Sequence, residues 1–185
     1  MHLPSDRGSS APIRRALPLA RRLDEALDGR CGGDLQGFVD ALAAVPQGQG
    51  QPLPSLIIEE DPDDAFLLLR AFSLAACRGD VRIVDSLTDA RRILAGAHYC
   101  PVLVVLSITP RIREVGPWLQ WVRRQSRLRD VPILALLGAS PPSEDMRQIL
   151  DAPGVYWIVK PTEHERLATV LQKLILEAAD YRSES

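Results

Sequence analysis

The strongest constraint on this chain is that short apolar runs alternate five times with stretches of helical spacing between residues 55 and 177. Runs of four to eight apolar residues bounded by turn signals read as buried strands. Residues 102–106, 132–137 and 155–159 fit that pattern, and 56–58, three residues long, and 81–84, interrupted by Arg82, are read the same way. Each is followed by a helix signal. Ala65, Phe66, Leu68, Leu69, Phe72 and Ala76 recur at helical spacing before Gly79. Ser86 or Thr88 can cap a helix over 89–94, and Trp118, Trp121 and Val122 mark one over 114–126. Ser143-Glu-Asp-Met begins a short helix. Thr162-Glu-His-Glu165 is a capping box ahead of Leu167, Val170, Leu171, Leu174 and Ile175. Five strands each followed by a helix predict a doubly wound α/β domain, a parallel sheet with right-handed crossovers and helices on both faces. The unbroken run 102–106 suits a strand buried on both sides.

The first strand ends in carboxylates, in Ser55-Leu-Ile-Ile-Glu-Glu-Asp-Pro-Asp-Asp64. Pro62 suits the first turn of a helix. Ligands of open α/β sheets bind at the carboxyl ends of the strands, so Glu59, Glu60 and Asp61 are the first site candidates. No Gly-rich loop follows Ile58, which leaves a nucleotide-binding crevice without a backbone phosphate cradle.

Residues 1–54 differ in character. Ile13, Leu17, Ala20, Leu23 and Leu27 recur at helical spacing up to Asp28-Gly29, with Pro18 as a kink. Asp34 can cap a second helix with Leu35, Phe38, Val39 and Leu42 on its apolar face, and 46–54 is a linker by composition. The expected division is a helical extension and linker over 1–54, a main domain over 55–179 and a tail over 180–185.

A net charge of -2 and a pI near 5.9 give no basic field for nucleic acid. Cys31, Cys77 and Cys100 lack the spacing of a disulfide framework or a zinc site. No apolar run approaches the roughly 20 residues of a membrane helix, and the first residues carry no signal-peptide core. A cytoplasmic protein with no membrane and no nucleic-acid partner is expected.

Glu59-Glu60-Asp61-Pro62 after strand one, a turn after strand three and Lys160-Pro161 after strand five together resemble a receiver domain of the two-component response regulators. With Asp61-Pro-Asp-Asp-Ala65, Arg123-Arg-Gln-Ser-Arg-Leu-Arg-Asp-Val-Pro132 and Val159-Lys-Pro161, the chain looks most like the single-domain regulators that partner phytochrome-type sensor kinases. The resemblance covers residues 55–177. It implies a flavodoxin-like five-stranded sheet of order 2-1-3-4-5. It implies that Glu60 and Asp61 are the acidic pair that holds Mg²⁺ and that Lys160 contacts the phosphoryl group.

The chain also departs from the family. Aligned from Pro101, Ser107 stands where the phosphorylated aspartate belongs; aligned back from Pro110, Leu106 does. Leu136-Leu137-Gly138 offers no hydroxyl where the family has a switching Thr or Ser, and Trp157 takes the position of the rotating Tyr or Phe. With the acceptor missing, Glu60 and Asp61 would bind Mg²⁺ weakly at best, and Lys160 is expected to pair with Asp61 or Glu60. His98 and His164 are expected to face solvent. Tyr156 and Trp157 point to opposite faces of their strand, and either could anchor an interface.

The expected function is that of an atypical response regulator, a pseudo-receiver acting by phosphorylation-independent protein-protein interaction and not as an enzyme. Its partner would be a sensor histidine kinase or phytochrome-type photoreceptor, and it would form a homodimer. No DNA-binding segment follows in the sequence, so output is expected through binding. The alternative is a phosphorylatable receiver, a phosphate shuttle that uses a non-Asp acceptor such as Ser107.

Overall fold

In the computed structural model the described residues are 31–32, 35–44, 54–74, 80–109, 114–138, 140–161 and 164–183. The elements in chain order are β1 (Cys31–Gly32), α1 (Leu35–Ala43), β2 (Ser55–Ile58), α2 (Pro62–Leu74), β3 (Val81–Val84), α3 (Leu87–Ala95), β4 (Leu103–Ile108), α4 (Val115–Arg124), β5 (Ile133–Leu137), α5 (Glu144–Leu150), β6 (Val155–Val159) and α6 (His164–Ser183). The expectations for residues 1–30, for the linker 46–53 and for the capping-box residues 162–163 lie outside the described residues.

The sheet runs β1-β6-β5-β4-β2-β3. Its five parallel strands follow the expected order 2-1-3-4-5 when counted from β2. A sixth strand was not foreseen: β1 pairs antiparallel with β6, Cys31 opposite Ile158 and Gly32 opposite Trp157. Two residues are too few to show any alternation in a sequence, so nothing in the pattern announced it.

Both faces of the sheet are covered. Ile57, Val105, Leu134, Leu136 and Ile158 pack against α1, α2 and α6. Leu56, Val104, Leu106, Ile133 and Ala135 face α3, α4 and α5. The alternation of adjacent strand residues between the two cores is the period of two of a pleated strand. Leu106 is therefore core, whereas its neighbour Ser107 belongs to the strand end.

α1 contributes Leu35, Phe38, Val39 and Leu42 to the first core, the face its spacing predicts. Phe38 is fully buried and meets the Tyr156 ring edge-on at a centroid distance of 5.4 Å. This helix is thus integral to the fold that the sequence assigned to residues 55–179. α6 likewise runs on to Ser183, beyond the expected boundary at 179.

Local chemistry sets the helix ends. Ser86, not Thr88, caps α3 by accepting the Asp89 N–H at 3.2 Å, and Ser143 caps α5 by accepting the Met146 N–H at 3.3 Å. Two arginines of the 123–132 segment hold backbone carbonyls. Arg123 Nη1 donates to the carbonyls of Leu128, Arg129 and Val131 at 3.2, 2.7 and 2.9 Å, which shapes the turn into β5. Arg127 Nη2 donates to Leu94 and Gly96 oxygens at 3.2 and 3.0 Å, at the end of α3. Burial pushes the Arg123 guanidinium below its ordinary pKa, although the charge of Asp130 opposes this.

Candidate functional site

The carboxyl ends of β2, β4 and β6 converge with the start of α2. At the end of β2, Glu59 is a buried residue with 3% exposure. A carboxylate at that depth requires partners, and it has three. Its Oε1 accepts the Asp61 N–H at 3.0 Å. Its Oε2 accepts from Lys160 Nζ at 2.7 Å and from Ser107 Oγ in a short contact. The pairing of Ile58 with Leu106 places Glu59 beside Ser107.

Lys160 enters from the end of β6, where its N–H donates to the Leu137 carbonyl at 2.8 Å. Its Nζ bridges Glu59 and Asp64, the latter at 2.6 Å. Side-chain exposures of 18% for Lys160 and 19% for Asp64 leave the network largely out of solvent. Burial alone would lower the lysine pKa; its hydrogen bonds to Asp64 and Glu59, with their charges, outweigh it and hold the ammonium above its ordinary value. A raised folded-state pKa adds stability that is fully present below the unfolded value of about 10.4 and is lost as pH rises through the folded value.

The structure corrects the expected pairing. Lys160 pairs with Glu59 and Asp64, not with Asp61 or Glu60. Asp61 instead serves the helix: its Oδ1 accepts the N–H groups of Asp63 and Asp64 at 2.9 and 3.2 Å, and its carbonyl accepts from Ala65 at 2.9 Å. It is the N-cap of α2, with Pro62 in the first turn. Glu60 is exposed and lines a cleft of about 80 Å³ with Asp85, Ser86, Ser107, Thr109 and Glu114. Asp64 was missed, and its signal was its place in the first turn of a helix whose N-terminus meets the site.

Of the two candidate positions at the end of β4, Ser107 faces this network and Leu106 is buried in the core. Leu136 and Leu137 are also core, on opposite sheet faces. Tyr156 and Trp157 do take opposite faces. Tyr156 is met by Phe38 of the same chain, so its ring is already engaged. Trp118 is buried, and Trp121 faces the Arg91 guanidinium at 4.9 Å. His98 is exposed, as expected; the side chain of His164 lies outside the described residues.

The donor set does not fit a Mg²⁺ site. Mg²⁺ needs carboxylate oxygens open toward one point with room for its waters. Here Glu59 is taken by three donors and one oxygen of Asp61 by two backbone N–H groups, which leaves Glu60 as the exposed carboxylate of the three. Among the described residues no group of three or more His, Cys, Asp or Glu side chains is placed to hold a metal ion.

Removing the Ser107 hydroxyl leaves Glu59 with two donors. Ser107→Ala is expected to cost about 2 kcal/mol, typical of a hydrogen bond to a charged group, at an unchanged urea m value. Urea unfolding of both proteins measures it.

No family model matches the sequence, and no curated protein matches it. Solved structures do resemble it. The phosphorylated cyanobacterial phytochrome response regulator RcpA superposes with a TM-score of 0.59 at 17% identity, over 66% of this chain and 91% of that one. A two-component response regulator from Legionella pneumophila gives 0.53 at 20% identity, over 66% and 97%. The bacteriophytochrome response regulator RtBRR gives 0.52 at 23% identity, over 67% and 78%. Among the described residues no helix is long and apolar enough to cross a membrane. The fold of this chain is the one shared by the response regulator receiver domains.

Proposed function

We propose that this chain is a pseudo-receiver, a regulatory protein of two-component or photosensory signalling that works by protein-protein interaction without phosphoryl transfer or Mg²⁺ and is not an enzyme. The observation that carries this reading is the Glu59 carboxylate, buried between Lys160 and Ser107 at the strand ends. A negative charge already neutralises the lysine that would otherwise stabilise charge on a transferred group. Ser107, a poor acceptor beside a carboxylate, occupies the end of β4. The partner on this reading is a sensor histidine kinase or a phytochrome-type photoreceptor.

One observation favours the rival in which Ser107 is phosphorylated. Its Oγ donates to a carboxylate, the arrangement of a nucleophile with a general base. The same oxygen, Oε2, already accepts from Lys160, so taking up the serine proton there would disrupt the ion pair. A nucleotide-binding role is disfavoured because no Gly-rich loop follows Ile58 to cradle phosphates with backbone N–H groups.

Intact mass after incubation with acetyl phosphate and Mg²⁺ separates these readings. No mass gain is expected, under conditions in which a conventional receiver gains one phosphoryl group. A gain that disappears in Ser107→Ala would establish the shuttle instead.

A further inference from the structure

The sheet protects its two ends by different means. At one end stands β3, Val81-Arg-Ile-Val84, which pairs only with β2 among the described strands. It is four residues long and carries a charge, the exposed Arg82 paired with Asp80 at 2.6 Å. A short, charged strand is a poor template for a second chain. β6 has no such protection of its own. Val155-Tyr-Trp-Ile-Val159 is five successive β-branched or aromatic residues with no charge, no proline and no glycine. That composition pairs with further strands wherever its edge is open.

The β6 edge is covered from within the chain. β1 runs antiparallel along it, with Cys31 opposite Ile158 and Gly32 opposite Trp157. Two residue pairs are too few to hold a strand in place. The hold comes from α1, which begins three residues after Gly32 and sinks Leu35, Phe38, Val39 and Leu42 into the first core. Phe38 meets Tyr156 of the same strand edge-on at 5.4 Å. β6 is thus gripped twice, by the backbone of β1 and by a ring of α1. The strand left at the end of the sheet is β1, and its two residues offer little to a further partner.

We infer that β1 and α1 form an edge guard: they keep the β6 edge from pairing with β6 of a second copy, and opening β1 creates a dimer interface that the intact chain lacks. The occupant of the opened edge is a second copy because a strand paired antiparallel with itself is self-complementary and closes about a two-fold axis. An uncharged strand also meets no like charge in its twin. The inference rests on the sheet alone and stands apart from the state of the Glu59 network.

Light scattering on the full chain carrying Cys31→Pro and Gly32→Pro tests this. Proline removes the ladder N–H groups of β1 and leaves the sequence of α1 intact. Association should tighten by about tenfold or more relative to the parent, with the circular dichroism of the parent retained. Adding Trp157→Lys, which puts a charge on the half-buried middle of β6, should return association to the parent level. A folded double-proline variant that associates no better than the parent, or a gain that survives Trp157→Lys, would overturn the guard. Hydrogen exchange of the unmodified chain gives a second readout that needs no variant. Amides 155–159 should exchange more slowly than amides 81–84, and equal rates would overturn the guard as well.

Discussion

Replacing Lys160 with methionine is expected to lower the stability of the fold by about 3 to 5 kcal/mol, the usual consequence of leaving a buried charge without its partner. Glu59 is the charge left behind. It is 3% exposed and would retain only the Asp61 N–H and the Ser107 hydroxyl. Asp64 would lose the same partner but is one-fifth exposed and can turn to water. The loss should not be additive with removal of the carboxylate charge. In Glu59→Gln/Lys160→Met the buried ion pair disappears as a unit, so the double variant should recover most of the loss. Denaturant unfolding of the four proteins measures the coupling. A double variant no better than Lys160→Met would mean that the two groups act independently. In the parent, unfolding followed with pH should show the lysine's contribution to stability lost in alkali, as pH rises through the raised lysine pKa.

Phe38→Ala should cost about 3 to 5 kcal/mol, as for other fully buried aromatic rings cut back to alanine. The ring fills the space between α1 and the β6 face and packs edge-on against Tyr156. Its removal would open a cavity bounded by the sheet, α6 and Tyr156. If α1 were only an appendage, the substitution would instead leave the thermal midpoint within a degree or two of the parent. The expected drop is well beyond that, on the order of 10 °C or more for a domain of this size.

The fold was legible in the sequence because parallel strands buried on both faces are unbroken apolar runs. Residues 103–106 and 133–137 carry that signature, and the caps Ser86 and Ser143 mark helix starts independently of hydrophobicity. β1 was not legible, since a two-residue strand has no period. The site was legible as a region and misread in detail. Three successive carboxylates, Glu59, Glu60 and Asp61, leave a strand and enter a helix, and at such a junction spacing does not fix which one turns inward. Pro62, read from the sequence as opening a helix, carried a consequence for Asp61 that the spacing argument left out. A proline in the first turn of a helix makes the residue before it the cap, which commits Asp61 and leaves Glu59 to follow the strand into the interior. Asp64, one turn into α2, then reaches Lys160.

The same reading explains why Ser107 and Leu106 were hard to tell apart from alignment alone. A shift of one residue exchanges the two faces of a strand. The pairing of β2 with β4 resolves it by placing Leu106 opposite Ile58 and Ser107 beside Glu59.

On the proposed function, Glu59 occupies the charge-binding position that Lys160 provides and leaves no place for a metal-phosphoryl pair. The direct measurement is the thermal midpoint of the full chain with Mg²⁺ and the phosphoryl analogue beryllofluoride, alone and together. The account predicts no shift with any combination. A saturable rise with both, of the size expected when ligand far exceeds its dissociation constant and absent from Glu60→Gln, would show that the pocket opens to them and contradict the account.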